Sequence, residues 1–140
     1  MRIIVAGCRY FTNYDLMKST LDNFISNTDS SKVTIISGRA KGADQLGEKY
    51  AEDNNLKLAK FEAPWAKMGP SAGTFRNKLM ADYAIKDEDN HPVLFAFWDG
   101  KSKGTKDMIN RAEKMNIETH IIYFDGYGGI INDYLRNITE

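Results

Sequence analysis

Cationic side chains recur beside glycines at four places in the chain: "GCRYF" (7–11), "SGRAKGAD" (37–44), "MGPSAGTFR" (68–76) and "WDGKSKGTK" (98–106). Arg9, Arg39, Lys41, Lys67, Arg76, Lys101, Lys103 and Lys106 all lie in or next to these stretches. Glycine lets a ligand come close to the backbone, and clustered cations with free amide N–H groups suit an anion such as phosphate. For any one stretch a tight turn is the commoner reading, and it is the set of four that favours an anion. Arg76 reads either as a bidentate phosphate clamp or as an exposed helix arginine paired with a carboxylate. Asp44 reads as a partner for a ribose hydroxyl or for its own loop, or as a first-turn acid that stabilises a helix. Asp99 reads as a base or ribose ligand, or as the turn residue of "WDG".

The surrounding sequence must supply elements that bring the four stretches together. Apolar runs at 2–7, 32–37, 56–63, 92–98 and 118–124 read as strands. Helical periodicity spans 14–27, with Asn13 as N-cap, and also 43–54, 74–85 and 106–116. Alternation of strands and helices predicts an α/β fold: a Rossmann-like three-layer α/β/α domain on a mainly parallel five-stranded sheet, near order 3-2-1-4-5. All four glycine-bearing stretches then follow a strand, at the carboxyl edge where open α/β sheets bind ligands. The opposite connections, "NTDSSK", "EDNNLK", "KDEDNHP" and "KMNIE", carry no glycine. The segment 125–140, "DGYGGIINDYLRNITE", reads as an added element or an oligomer contact within a single domain spanning 1–140.

Composition narrows the function classes. Nineteen basic and nineteen acidic residues give no net charge, which disfavours a long nucleic-acid footprint. One cysteine, Cys8, excludes an internal disulfide and a multi-cysteine zinc site. It reads as a nucleophile near a helix start or as a small packing residue. His91 and His120 read as separated, at opposite strand ends, and neither is assigned to a metal or to catalysis; no metal and no cofactor are expected. No apolar run approaches a membrane span and no signal segment is seen, so no membrane contact and a cytoplasmic location are expected. Neither G-x-x-x-x-G-K-[ST] nor G-x-G-x-x-G occurs. Among the aromatics beside the loops, Tyr10 and Trp65 are the candidates to stack on a base.

Taken in order, "GCRYF", "SGRAKGAD", "GPSAGTFRNKLM" and "DGKSKGTKDMI" resemble the YspA-like proteins of the SLOG superfamily, which includes the LOG phosphoribohydrolases, DprA and YpsA. The resemblance spans roughly residues 1 to 124. It implies a Rossmann-like fold, a pocket for a nucleotide or nucleotide-derived ligand, and a homo-oligomer. It also implies that Gly7, Arg9 and Tyr10 belong to the first ligand loop and Ser37, Gly38, Gly42 and Asp44 to the second. Arg39 stands where the family often has glycine. "FRNKLM" is similar to the helix whose arginine, here Arg76, is catalytic in the hydrolases. "GKSKGT" is similar to their phosphate loop, with Gly100, Ser102, Gly104 and Thr105 in its positions. Cys8, Ala43, Trp65, Gly73, Asn77 and Asp99 complete the expected ligand set.

One position departs from the hydrolases. Their glutamate three residues after the loop threonine is Met108 here, and Asp107 is turned about 100° away on a helix. Methionine can neither activate water nor stabilise an oxocarbenium-like sugar. The leading expectation is therefore a protein that binds and senses or sequesters a nucleotide-like molecule. A nucleoside-phosphate N-glycosidase using Arg76 with Asp44 or Asp99 is the alternative. A DprA-like DNA-binding protein is the third.

Overall fold

The computed structural model describes residues 1–124. Five strands, β1 (Arg2–Gly7), β2 (Thr34–Ser37), β3 (Lys57–Lys60), β4 (Pro92–Trp98) and β5 (Glu118–Tyr123), form one sheet. Its order is β3-β2-β1-β4-β5 and every pairing is parallel, as the alternating pattern predicts. The helices are α1 (Tyr14–Ile25), α2 (Ala43–Asp53), α3 (Trp65–Met68), α4 (Ala72–Ala84) and α5 (Lys103–Lys114).

Side chains alternate across a strand, and β1 shows what this does to the core. Ile3 and Val5 join Met17 and Leu21 of α1 and Tyr50 and Ala51 of α2 on one face. Ile4 and Ala6 join Met80, Ala81 and Ala84 of α4 and Met108, Ile109 and Ala112 of α5 on the other. The sheet is thus covered on both faces, the three-layer α/β arrangement, and its central strands read as unbroken apolar runs. The edge strand β3 exposes Lys57 and Lys60, charges that oppose pairing with another chain. Asn13 caps α1 by accepting from the Leu16 N–H at 3.0 Å.

Several boundaries differ from the sequence reading. Residues 30–32 form a short 3-10 turn, so β2 is shorter than 32–37. Strand β3 stops at Lys60, and the segment after it holds α3 and a further 3-10 turn instead of open loop. Helix α4 starts at Ala72 rather than residue 74, and α5 at Lys103 rather than residue 106. The last shift matters most, because it puts Gly104 and Thr105 in the first turn of a helix. The expectation for 125–140 lies outside the described residues.

The two histidines are not separated as expected. The β4–β5 register pairs Val93 with Glu118 and Phe95 with His120. His91 therefore sits beside the start of β5, and its Nε2 lies 3.0 Å from Glu118 Oε1. His120 Nε2 lies 2.6 Å from Oε2 of the same carboxylate. Its ring stacks on Phe95 at 4.6 Å.

Candidate functional site

At the carboxyl edge the loops after β1, β2, β3 and β4 surround a cavity of about 790 Å³. Its lining includes five cationic side chains, Arg9, Arg39, Lys41, Arg76 and Lys103, and two acidic ones, Asp44 and Glu62. That volume lies within the range of small-molecule and cofactor pockets.

The loops after β1 and β2 are locked together by their backbones. The Ala43 N–H donates to the Cys8 carbonyl at 3.3 Å, and the Cys8 N–H donates to the Phe97 carbonyl of β4 at 3.1 Å. Gly42, at φ 78°, lies where a Cβ would collide with the carbonyl oxygens of Cys8 and Arg9. Gly7 similarly leaves room for the Phe97 carbonyl and for Ala43. These glycines serve close approach, but the group that approaches is the neighbouring loop. Ser37 is fully buried and ties down its own loop: its hydroxyl donates to Glu48 Oε2 at 2.7 Å and accepts the Arg39 N–H at 3.1 Å. Arg39, with φ 63°, sets its Nε 3.7 Å from Glu48.

Arg76 reaches across from α4. Its Nη1 donates to the Gly38 carbonyl at 2.6 Å and its Nε to Asn77 Oδ1 at 3.2 Å. A Cβ at Gly38 would stand 2.8–2.9 Å from the Arg76 side chain, so Gly38 is the slot through which the arginine passes. Asn77, only 3% exposed, donates onward to the Gly104 carbonyl at 3.2 Å and to Asp107 Oδ2 at 3.0 Å. One chain of hydrogen bonds thereby links the β2 loop, α4 and the start of α5. Burial lowers the Arg76 pKa from its ordinary value, and the nearby Asp44 carboxyl opposes that shift.

Asp44 is 4% exposed and lines the cavity. Its Oδ2 accepts the Ala40 N–H at 3.2 Å. Burial pushes its pKa up to about 6, against the pull of Arg76, the Ala40 N–H and Arg9. The first turn of α5 has no side-chain cap. The N–H groups of Lys103, Gly104 and Thr105 have no partner among the described residues. A Cβ added at Gly104 would meet nothing within 4 Å. This helix start is therefore an open, positively polarised surface. Thr105 is buried, with its hydroxyl 3.4 Å from that of Ser102.

Of the expected ligand set, Gly7, Cys8, Arg9, Tyr10, Gly38, Arg39, Asp44, Trp65, Gly73, Arg76, Asn77, Ser102, Gly104 and Thr105 line the cavity. Ser37, Gly42, Ala43, Asp99 and Gly100 do not. Ser37, Gly42 and Ala43 hold the loops, and Gly100, at φ 80°, turns the chain after β4. Asp99 is a turn residue: its Oδ1 accepts the Lys101 and Ser102 N–H groups, each at 2.8 Å, and its Oδ2 accepts the Tyr10 hydroxyl. Burial alone would raise its pKa, but these bonds hold it well below the usual carboxylate range. Cys8 is buried and its pKa is pushed up to about 11, chiefly by burial, so it is a neutral thiol at physiological pH. Tyr10 and Trp65 are 54% and 50% exposed on the cavity rim.

Met108 also lines the cavity, whereas Asp107 is taken up by Asn77 and by Arg111 Nε at 2.9 Å. The sequence reading passed over Glu62, Pro70 and Thr74 as lining residues. Pro70 and Thr74 sit in or at the end of the region read as loop, where no periodic pattern marks which side chains turn inward, and Glu62 falls in the part of 56–63 that lies beyond the end of β3 at Lys60. Among the described residues no group of three or more His, Cys, Asp or Glu side chains is placed to hold a metal ion. No helix among them is long and apolar enough to cross a membrane.

The fold and this edge define a Rossmann-like α/β protein with a cation-rich cavity at the strand ends. Residues 1–68 match the family described as YspA, cpYpsA-related SLOG (YAcAr), and the match contains "GCRYF" and "SGRAKGAD". The resemblance to YspA-like SLOG proteins is thus borne out over that span. The fold is also similar to the X-ray structure of DNA processing protein A (DprA) from Streptococcus pneumoniae, with a TM-score of 0.68 and 16% identity. That alignment covers 99% of this chain and 56% of the other, so the chain spans a little over half of that protein's length. Comparison with curated proteins gives no match.

Proposed function

We propose that the protein binds a nucleotide or nucleotide-derived molecule in the carboxyl-edge cavity and senses or sequesters it. The observation that carries this reading is the pairing of two anion-holding features on one cavity. One is the guanidinium of Arg76, fixed by Gly38 and Asn77; the other is the uncapped first turn of α5. Charge-assisted bonds from a fixed guanidinium and free amides from a helix start are complementary to phosphate. Arg9, Lys41 and Lys103 add positive field, and the half-exposed rings of Tyr10 and Trp65 offer stacking surfaces to a base. Sequence resemblance and the family match over residues 1–68 support the same ligand class.

The test is thermal unfolding of the purified protein against millimolar nucleoside mono-, di- and triphosphates, cyclic nucleotides and ADP-ribose. At least one is expected to raise Tm, as a ligand specific for the native state must. Arg76→Ala is expected to abolish the rise. No stabilisation by any member overturns the reading.

One observation favours a hydrolytic reading as well. A buried carboxyl with its pKa near 6 faces the same cavity as Arg76, as a general acid requires. Against it, Met108 occupies the wall where the LOG hydrolases carry glutamate, and Asp99 is engaged outside the cavity. Chromatography for free base after incubation with nucleoside monophosphates decides: release by the wild type and none by Asp44→Asn supports hydrolysis, and intact substrate throughout removes it.

A further inference from the structure

Asp44 is the least satisfied buried polar group at the site. Its side chain is 4% exposed and lines the cavity. Oδ2 accepts one backbone N–H, from Ala40. Oδ1 has no hydrogen-bond partner among the described residues, and no ammonium or guanidinium lies within 4.0 Å of either oxygen. Buried polar groups are normally paired, and an open acceptor inside a cavity points to a donor that arrives with the ligand.

The surroundings restrict that donor. An ionised carboxylate only accepts hydrogen bonds. Arg76 and Arg9 already act on Asp44, and five cationic side chains line the cavity. A positively charged donor would meet this field, so a neutral hydroxyl suits Oδ1 better. The same cavity offers phosphate the Arg76 guanidinium and the α5 amides. Both halves describe one molecule: a phosphate group joined to a hydroxyl-bearing carbon framework.

We infer that Asp44 is a specificity-determining residue whose free oxygen accepts a sugar hydroxyl, so that the site takes ribonucleotides in preference to their deoxy counterparts. This rests on the nucleotide reading above and adds to it the requirement for an intact hydroxyl. The Arg39–Glu48–Ser37 cluster beside it leaves Glu48 occupied, and of the two carboxylates that line the cavity Asp44 is the buried one while Glu62 is exposed.

The test is calorimetric titration of wild type and Asp44→Asn with AMP, 2'-deoxy-AMP and 3'-deoxy-AMP, and with ADP-ribose and its 2'-deoxy form on the adenosine side. Asparagine preserves shape. With its oxygen on the Ala40 N–H, it turns an NH₂ donor toward the cavity. Wild type is expected to bind a ribo form roughly tenfold or more tightly than at least one deoxy form, the scale of a hydrogen bond to a charged group. In Asp44→Asn the preference is expected to disappear, with the ribo and deoxy forms binding within about twofold of each other. Equal affinity of wild type for ribo and deoxy forms overturns the inference and leaves nucleotide binding standing. So does an Asp44→Asn variant weakened equally toward both. Binding of no probe by wild type overturns the nucleotide reading and this inference together.

Discussion

The two edges of the sheet treat their polar side chains differently. At the amino edge one group of them satisfies itself. Glu118 is shared by His91 and His120, and Arg2 donates to the Tyr83 carbonyl at 2.6 Å while lying over the Tyr83 ring. At the carboxyl edge Arg9, Lys41, Lys101, Lys103 and Lys106 have no carboxylate within 4.0 Å among the described residues. The first amides of α5 and one oxygen of Asp44 are likewise open. Both edges are built from the same kinds of residue on the same strands. What distinguishes the carboxyl edge is that its open groups are gathered around a cavity, where a ligand can use them.

The glycines of the carboxyl edge divide in the same way, and this gives the largest expected effects. Gly42→Ala forces a Cβ into the carbonyls of Cys8 and Arg9 at a positive φ. It is expected to destabilise the fold by about 3 kcal/mol in urea unfolding, from strain and overpacking together. Arg76→Ala leaves the Gly38 carbonyl and Asn77 Oδ1 without their donor and is expected to weaken nucleotide binding about 100-fold, roughly 2.7 kcal/mol, by calorimetry. Gly38→Ala should follow Arg76→Ala, because its Cβ displaces the same side chain.

Asp44→Asn separates stability from binding. The buried carboxyl is harder to ionise than in the unfolded chain, where its ordinary value is 3.8. Between that value and about 6 the folded protein holds a proton that the unfolded chain has lost, so stability rises as pH falls through this window. Above pH 6 the ionised carboxyl carries its full burial penalty, opposed in part by Arg76 and Arg9 and increased by Glu48. Asp44→Asn is therefore expected to stabilise the protein by about 1–3 kcal/mol at pH 8 and by nothing near pH 4, measured by unfolding across that range. A loss of stability at pH 8 would mean that the carboxylate is needed by the fold.

Gly104→Ala sharpens the contrast with Gly42. Nothing lies within 4 Å of its added Cβ, and alanine is the better helix former. It is expected to stabilise the fold by about 0.5–1 kcal/mol while weakening nucleotide binding, because the Cβ enters the space over the α5 amides. The smallest effect belongs to the amino edge. Burial tends to raise the Glu118 pKa, but its bonds to His120 and His91 hold it below the ordinary value. Glu118→Gln is expected to change stability by less than about 1 kcal/mol and nucleotide binding not at all.

The fold order was legible because β1, β2 and β4 are continuous apolar runs and the helices between them repeat every 3.6 residues. Residues 102–105 were less legible. Ser-Lys-Gly-Thr carries no apolar period, so periodicity alone places the start of α5 three residues after Lys103. Arg76 and the four loops were found from residue type and position. The roles of Gly38 and Gly42 were not, because the groups that need their missing side chains lie 38 and more than 30 residues away in sequence. The meeting of His91 and His120 on Glu118 depends on the β4–β5 register, which side-chain periodicity alone does not set.

Amide chemical-shift mapping during titration with the nucleotide that most raises Tm tests the central claim most directly. Shifts are predicted for Gly38 to Lys41, Arg76, Asn77 and Ser102 to Thr105, with none at His91, Glu118 or His120. Shifts concentrated at the amino edge, or absent from the α5 start and Arg76, would contradict it.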